Sequence, residues 1–232
     1  LAQTLPLNLS HGLPILEIGA ARMLLDTGCP FTFGRVPALE VFGGWRVMAG
    51  PEGIGPFNLG AVQRLTGPEV DGLAGMDLLG NNVWTLDLEA GTAVIDDQGL
   101  PCAAGSLAFT RLLGNGTPVA EVIYRGRRER AILDTGARYS YRIGERPADL
   151  LAGAEVEDFS PFLGPFRTPL WRDAVQLAGL TLPVGFGEVP EQGQDHFRRL
   201  RCPWLIGMDL LQAFKVRFDF RKNQLSLELH DY

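Results

Sequence analysis

The chain has 232 residues, 46% of them hydrophobic, and its 21 Lys and Arg against 27 Asp and Glu leave a formal net charge of −6 at pH 7. That is an ordinary globular composition, long enough for one large or two small domains, and its negative balance disfavours nucleic acid as a partner. No apolar run approaches the about 18 residues of a membrane span, and three widely spaced cysteines (Cys29, Cys102, Cys202) with three scattered histidines (His11, His196, His230) offer neither a disulfide framework nor a metal site. The opening Leu1-Ala2-Gln3 fits the remnant of a trimmed export signal. The expected compartment is therefore periplasmic or secreted, with the cytoplasm as the other choice. N-x-S/T triplets at Asn8 and Asn115 matter only where exported proteins are glycosylated.

Along the chain, Met23-Leu24-Leu25 reads as a buried strand leading into Asp26-Thr27-Gly28. Gly55-Pro56-Phe57 is turn chemistry. Ala61-Val62-Gln63 follows, and then Gly75-Met76-Asp77-Leu78-Leu79, where Asp77 suits the cap of a short helix with its leucines facing inward. Thr85-Leu86-Asp87-Leu88 alternates as a hairpin strand does. Residues 96–106 (DDQGLPCAAGS) are small, polar and rich in turn formers, so the seam is placed near Gly105, dividing the chain into 1–104 and 105–232. Beyond it, Arg125 to Arg130 (RGRRER) reads as a solvated hairpin turn, and Ala131-Ile132-Leu133 leads into Asp134-Thr135-Gly136. Gly164-Pro165-Phe166, Ala174-Val175-Gln176 and Gly207-Met208-Asp209-Leu210-Leu211 come next. The alternating runs Val216 to Phe220 and Gln224 to Leu229, joined by Arg221-Lys222-Asn223, close the series as a hairpin.

The second series repeats the first in order, which marks an internal duplication. The Asp-Thr-Gly triplets lie 108 residues apart, the Gly-Pro-Phe triplets 109, the Ala-Val-Gln triplets 113, and the Gly-Met-Asp-Leu-Leu segments 132, an interval that also relates Asp87 to Asp219. The jump from 113 to 132 places about 19 additional residues between Gln176 and Gly207. They are expected as a loop over Leu177 to Leu200, whose Phe186, His196 and Phe197 suit it to touch substrate or to cover one end of a cleft. With 29 Gly and 16 Pro punctuating short strands, the class is all-β.

Two copies of an Asp loop have a chemical use. Water is a poor nucleophile toward an amide, and it can be activated between two carboxyl groups of which one is protonated and one ionised. Two such loops meeting across a two-fold axis produce that state, because repulsion between like charges raises one pKa above the other. Thr after Asp can brace the partner loop, and Gly removes the Cβ that would block its approach.

On Leu24-Leu25-Asp26-Thr27-Gly28, Gly53-Ile54-Gly55-Pro56-Phe57 and Leu73-Ala74-Gly75, and again on Ile132-Leu133-Asp134-Thr135-Gly136, Phe162-Leu163-Gly164-Pro165-Phe166 and Leu205-Ile206-Gly207, the chain resembles the aspartic peptidases, each half being similar to one subunit of a retroviral (retropepsin) protease. The resemblance implies retropepsin- or pepsin-like β-barrels in two lobes related by a pseudo-two-fold axis. Asp26 and Asp134 would form the catalytic dyad. Thr27, Gly28, Thr135 and Gly136 would support the loops, Gly75 and Gly207 would lie in strands threading behind them, and Ile54, Gly55, Leu163 and Gly164 would form flaps over substrate. It further implies a peptide or protein substrate, no metal or cofactor, and a monomer, since one chain already carries both loops. Where retropepsins have Ala after Asp-Thr-Gly, as Ala137 is here, the first half has Cys29, which reads as a packed small residue rather than a nucleophile. Only 47 positions separate Gly28 from Gly75, which implies a short first flap hairpin. The other functional class is an inactive peptide-binding or scaffolding module, but such a binder has no use for two buried carboxylates that cost desolvation.

Overall fold

The structure, a computed structural model, describes residues 2–42, 44–47, 50, 52–98, 106–112 and 116–230. Leu1, Cys102, the seam at Gly105 and the glycosylation triplet's Asn115 lie outside the described residues. The first half runs β1 (Ala2–Ser10), β2 (Leu13–Ile18), β3 (Ala21–Leu25), β4 (Phe33–Gly34), β5 (Ala38–Val41), β6 (Gly44–Val47), α1 (Leu59–Thr66), β7 (Gly72–Ala74), α2 (Met76–Leu79), β8 (Val83–Asp87) and β9 (Thr92–Asp96). The second runs β10 (Ser106–Arg111), β11 (Pro118–Tyr124), β12 (Arg127–Leu133), β13 (Ser140–Arg142), β14 (Ala152–Ser160), β15 (Gly164–Leu177), β16 (Leu180–Glu188), α3 (Glu191–Leu200), β17 (Trp204–Ile206), α4 (Met208–Leu211), β18 (Phe214–Asp219) and β19 (Gln224–Leu229). The fold is all-β in two lobes, and no described helix is long and apolar enough to cross a membrane.

Local chemistry accounts for the hairpins. His11-Gly12 and Arg125-Gly126 join β1 to β2 and β11 to β12, both residues of each pair having positive φ, the geometry of a two-residue turn that follows strand twist. The basic run is thus a hairpin turn and its flanks. In β18 the alternation sends Phe214, Val216 and Phe218 inward, and Asp87 and Asp219 accept backbone N–H groups of the turns that follow β8 and β18.

One antiparallel sheet fuses the halves in the order β1, β9, β8, β18, β19, β10. At its centre Thr85 of β8 pairs with Arg217 of β18. These residues are 132 apart, the interval between Gly75 and Gly207, so the pseudo-two-fold axis passes through this pair. Side chains above the sheet, among them Leu5, Trp84, Phe109, Phe218 and Phe220, belong to a single core cluster spanning both halves. β1 and β10 each leave this sheet midway, Leu7–Ser10 pairing with β2 and Phe109–Arg111 with β11, which carries the chain up to the loops that bear the aspartates.

The second half is longer, but not where the sequence pattern places the excess. Leu177 to Leu200 is not a loop: it holds the end of β15, β16 and α3. α1 begins at Leu59 and α3 at Glu191, again 132 apart, so the register of Gly75 and Gly207 runs back unbroken to the two helices. The excess therefore lies before α3. It comes to 24 residues, the difference between the intervals 108 and 132, and occupies the long β14 and β15 and the added β16. Ala61-Val62-Gln63 is helical in α1 whereas Ala174-Val175-Gln176 is extended in β15, so that sequence match joins non-equivalent positions. The two helices themselves are additional to the short ones after Gly75 and Gly207.

Candidate active site

β3 and β12 end at Leu25 and Leu133, and each following aspartate is held by a parallel neighbour: Asp26 N–H donates to Ala74 O (3.0 Å) and Asp134 N–H to Ile206 O (2.9 Å). The loops then cross beneath the next segment. Met76 N–H bonds Cys29 O, and Met208 N–H bonds Ala137 O, both at 2.8 Å. A Cβ on Gly75 would meet Phe31 O at 2.4 Å, and one on Gly207 would meet Tyr139 O at 2.5 Å, so only glycine can thread there. Both glycine N–H groups donate to hydroxyls, of Thr32 (3.0 Å) and Ser140 (3.1 Å), which in turn donate to Asp77 (2.6 Å) and Asp209 (2.7 Å). Asp77 and Asp209 are therefore not the helix caps the sequence suggests; Gly75 and Gly207 occupy those positions, and the aspartates anchor a hydroxyl bridge to the active loops.

Between the loops, each threonine reaches across the axis. Thr27 Oγ1 donates to Leu133 O and Thr135 Oγ1 to Leu25 O, both at 2.8 Å, while each hydroxyl accepts the backbone N–H of the other threonine at 3.0 Å. This sets the carboxyl groups of Asp26 and Asp134 side by side across the axis, close enough for their charges to act on each other. Gly28 and Gly136 pack against the opposite carboxyl: a Cβ on either would fall about 2.5 Å or less from it, Gly28 against Asp134 and Gly136 against Asp26. Asp26 Oδ1 accepts N–H from Gly28 (2.7 Å) and Cys29 (3.0 Å), and Asp134 Oδ1 from Gly136 (2.9 Å). Burial raises both pKa values, Asp26 well above the usual carboxylate range, and the charge of Asp134 raises Asp26 further. Such a pair holds one proton over a wide pH interval. Cys29 is fully buried, its thiol directed to Phe31 O (3.4 Å), and burial followed by the Asp26 charge pushes its pKa up, which keeps it a thiol.

A cavity of about 190 Å³ opens above the dyad. Its walls come chiefly from the second half: Leu112, Ile132, Tyr141, Phe166, Val189 and Leu205, with Leu200, Phe197 and His196 of α3. The hairpin of β14 and β15 carries Pro161, Phe162 and Leu163 over it, and Phe57 comes from the first half. Phe57 and Phe162 meet edge to face at 4.9 Å across the cleft, and Phe162 stacks on His196 at 6.1 Å.

The expected site residues are thus divided. Asp26, Thr27, Gly28, Asp134, Thr135, Gly136, Gly75 and Gly207 converge on one spot. Leu163 lines the cavity, with Gly164 next to it where the hairpin's tip enters β15. Ile54 and Gly55 do not join them: Ile54 is 58% exposed and away from the cavity wall, because Ile54 and Phe57 close a tight turn that leads into α1 rather than a flap. The first half's own hairpin, β5 with β6, has four residues per strand, against nine and fourteen in β14 and β15. Of the excess in the second half, Phe186 is in the core, whereas His196 and Phe197 of α3 reach the cavity. Phe57 and Phe162, which stand in the two flap motifs but are not singled out there, also reach it, as do Arg138, Tyr141 and Asp158, which no motif marks.

Among solved structures, an aspartic proteinase from Irpex lacteus superposes with a TM-score of 0.51 at 11% sequence identity, covering 100% of this chain and 98% of that one. The chain has the fold of a pepsin-like aspartic proteinase. No protein-family model and no curated protein matches its sequence.

Proposed function

We propose that this chain is an aspartic endopeptidase built from two retropepsin-type halves, 1–104 and 105–232, that works as a monomer. The observation that carries the reading is that two carboxyl groups, one from each half, each pack against the glycine of the other's loop, on loops cross-braced by Thr27 and Thr135. In this reading a water held by the dyad gives its proton to the ionised carboxylate and attacks the scissile carbonyl carbon, while the protonated partner donates to the carbonyl oxygen. The proton taken from water then passes to the departing amine, and the dyad regains its single shared proton. The substrate lies extended beneath the β14–β15 hairpin, a large apolar side chain in the cavity.

The test is hydrolysis of a mixed peptide library with EDTA present. Asp26→Asn and Asp134→Asn should each lose roughly a hundredfold to ten-thousandfold in kcat; activity retained by either variant rejects the dyad. The pH profile should be a bell on the acid side of neutral, because both carboxyl pKa values are raised and only the singly protonated pair is active. Specific activity should not fall on dilution.

A further inference from the structure

We propose that an arginine-bordered recess beside the dyad cavity is a subsite selecting an acidic side chain of the substrate. This rests on the peptidase reading above. The recess has a volume of about 610 Å³ and shares Leu65, Arg138, Asp158, Phe159 and Phe166 with the cavity over the dyad, so a chain lying in one continues into the other. Its charged borders are Arg64, Arg138, Arg167, Glu157 and Asp158.

Which of these charges are already matched decides what the recess attracts. Arg167 pairs with Glu157 and Glu155. Asp158 accepts the hydroxyl of Tyr141 and feels the positive charge of Arg138, while burial pushes its pKa up. Arg64 and Arg138 remain: among the described residues neither has a carboxylate oxygen within 4 Å, although the charge of Arg138 acts on Asp158 from farther off. Arg138 is held in place by one bond, from Nη2 to Leu65 O (3.1 Å) in the last turn of α1, and its buried Nε has no partner. Capping α1 uses one of five guanidinium donors and gives no account of Arg64. Arg64, exposed one residue earlier on α1, lies over the ring of Phe159 at 5.7 Å. Two guanidinium groups thus flank an apolar floor formed by Leu65, Phe159 and Phe166, a setting in which a carboxylate gains two positive neighbours and a basic side chain meets repulsion.

The test compares peptides that share an apolar centre and carry Glu or Gln at each flanking position in turn, at about pH 6, where Glu is ionised. Cleavage is followed with the wild type, and affinity separately by fluorescence polarisation with Asp134→Asn. At one position Glu should be preferred over Gln by roughly fivefold to tenfold, a preference that shrinks at high salt. Arg64→Gln should reduce it below about twofold and Arg64→Glu should invert it. Equal handling of Glu and Gln peptides at every position, or a preference surviving in Arg64→Gln, overturns the subsite. If no peptide is cut, the peptidase reading fails, while the affinity comparison still decides whether the recess selects acid.

Discussion

Thr27 and Thr135 carry more than their size suggests, because each hydroxyl satisfies one buried carbonyl and one buried N–H of the opposite half. Thr135→Val keeps the shape and leaves both groups unpaired, which should cost about 2 to 5 kcal/mol in urea unfolding, while Thr135→Ser should stay near the wild type. If Val and Ser variants were equally stable, the cross-brace would not be holding the loops. Both threonines were legible from the Asp-Thr-Gly motif. Thr32, Ser140, Asp77 and Asp209 were not, since nothing in a single sequence says that a hydroxyl 108 residues from its counterpart will bridge a carboxylate to the N–H of Gly75 or Gly207.

For the elements, the contrast between Phe162 and Ile54 separates a flap from a turn. Both are more than half exposed, yet Phe162 on the β14–β15 hairpin meets the rings of Phe57 and His196 above the dyad, whereas Ile54 is bonded to Phe57 through the backbone of a tight turn and does not line the cavity. Phe162→Ala should therefore lower kcat/KM for peptide cleavage by roughly tenfold with a stability change within about 0.5 kcal/mol, and Ile54→Ala should leave both unchanged; a reversed pattern would move the flap to the first half. The helix α1 had its signals in the chain, Asn58 accepting N–H of Ala61 as a cap and Leu59, Val62 and Leu65 buried along one side, but the neighbouring Gly-Pro-Phe reads equally well as a hairpin tip. α3 hides better. None of its residues is fully buried, and Phe197 and Leu200 are its only two hydrophobic residues, so its composition is that of a surface loop.

At the scale of the whole molecule, four acids, the buried Asp26 and the half-buried Asp134, Asp158 and Asp209, all have raised pKa values, with withdrawal from water the first cause of each and Asp209 at about 6. The unfolded chain loses these protons near pH 4, the folded chain only at higher pH, so between those points the native state binds more protons and stability falls as pH rises. The acids with lowered values, Asp87, Asp97, Asp149 and Asp173, act in the opposite sense but lie at the surface, where solvent screens the effect. The melting temperature should thus be higher at pH 5 than at pH 8. Asp209→Asn, which keeps an acceptor for Ser140, should remove the part of that fall lying between about pH 4 and pH 6, on the order of 2 kcal/mol. A melting temperature that rises from pH 5 to pH 8 would show that burial of these acids does not govern stability.

The sequence by itself determined the all-β class, the duplication and the eight residues that converge at the dyad, because an Asp loop, its Thr brace and the threading glycine are demanded by local geometry and leave a spaced trace in the chain. The tertiary structure decided where the two halves differ. Equivalence of strands is a matter of pairing, and Ala-Val-Gln folds as helix in one half and strand in the other according to its neighbours. It also decided the cleft. Arg64, Phe57, Tyr141, Asp158 and Phe162 come from α1, the turn before it, β13, β14 and the hairpin tip, and only the packing of those elements around the axis places them at one cavity and its adjoining recess.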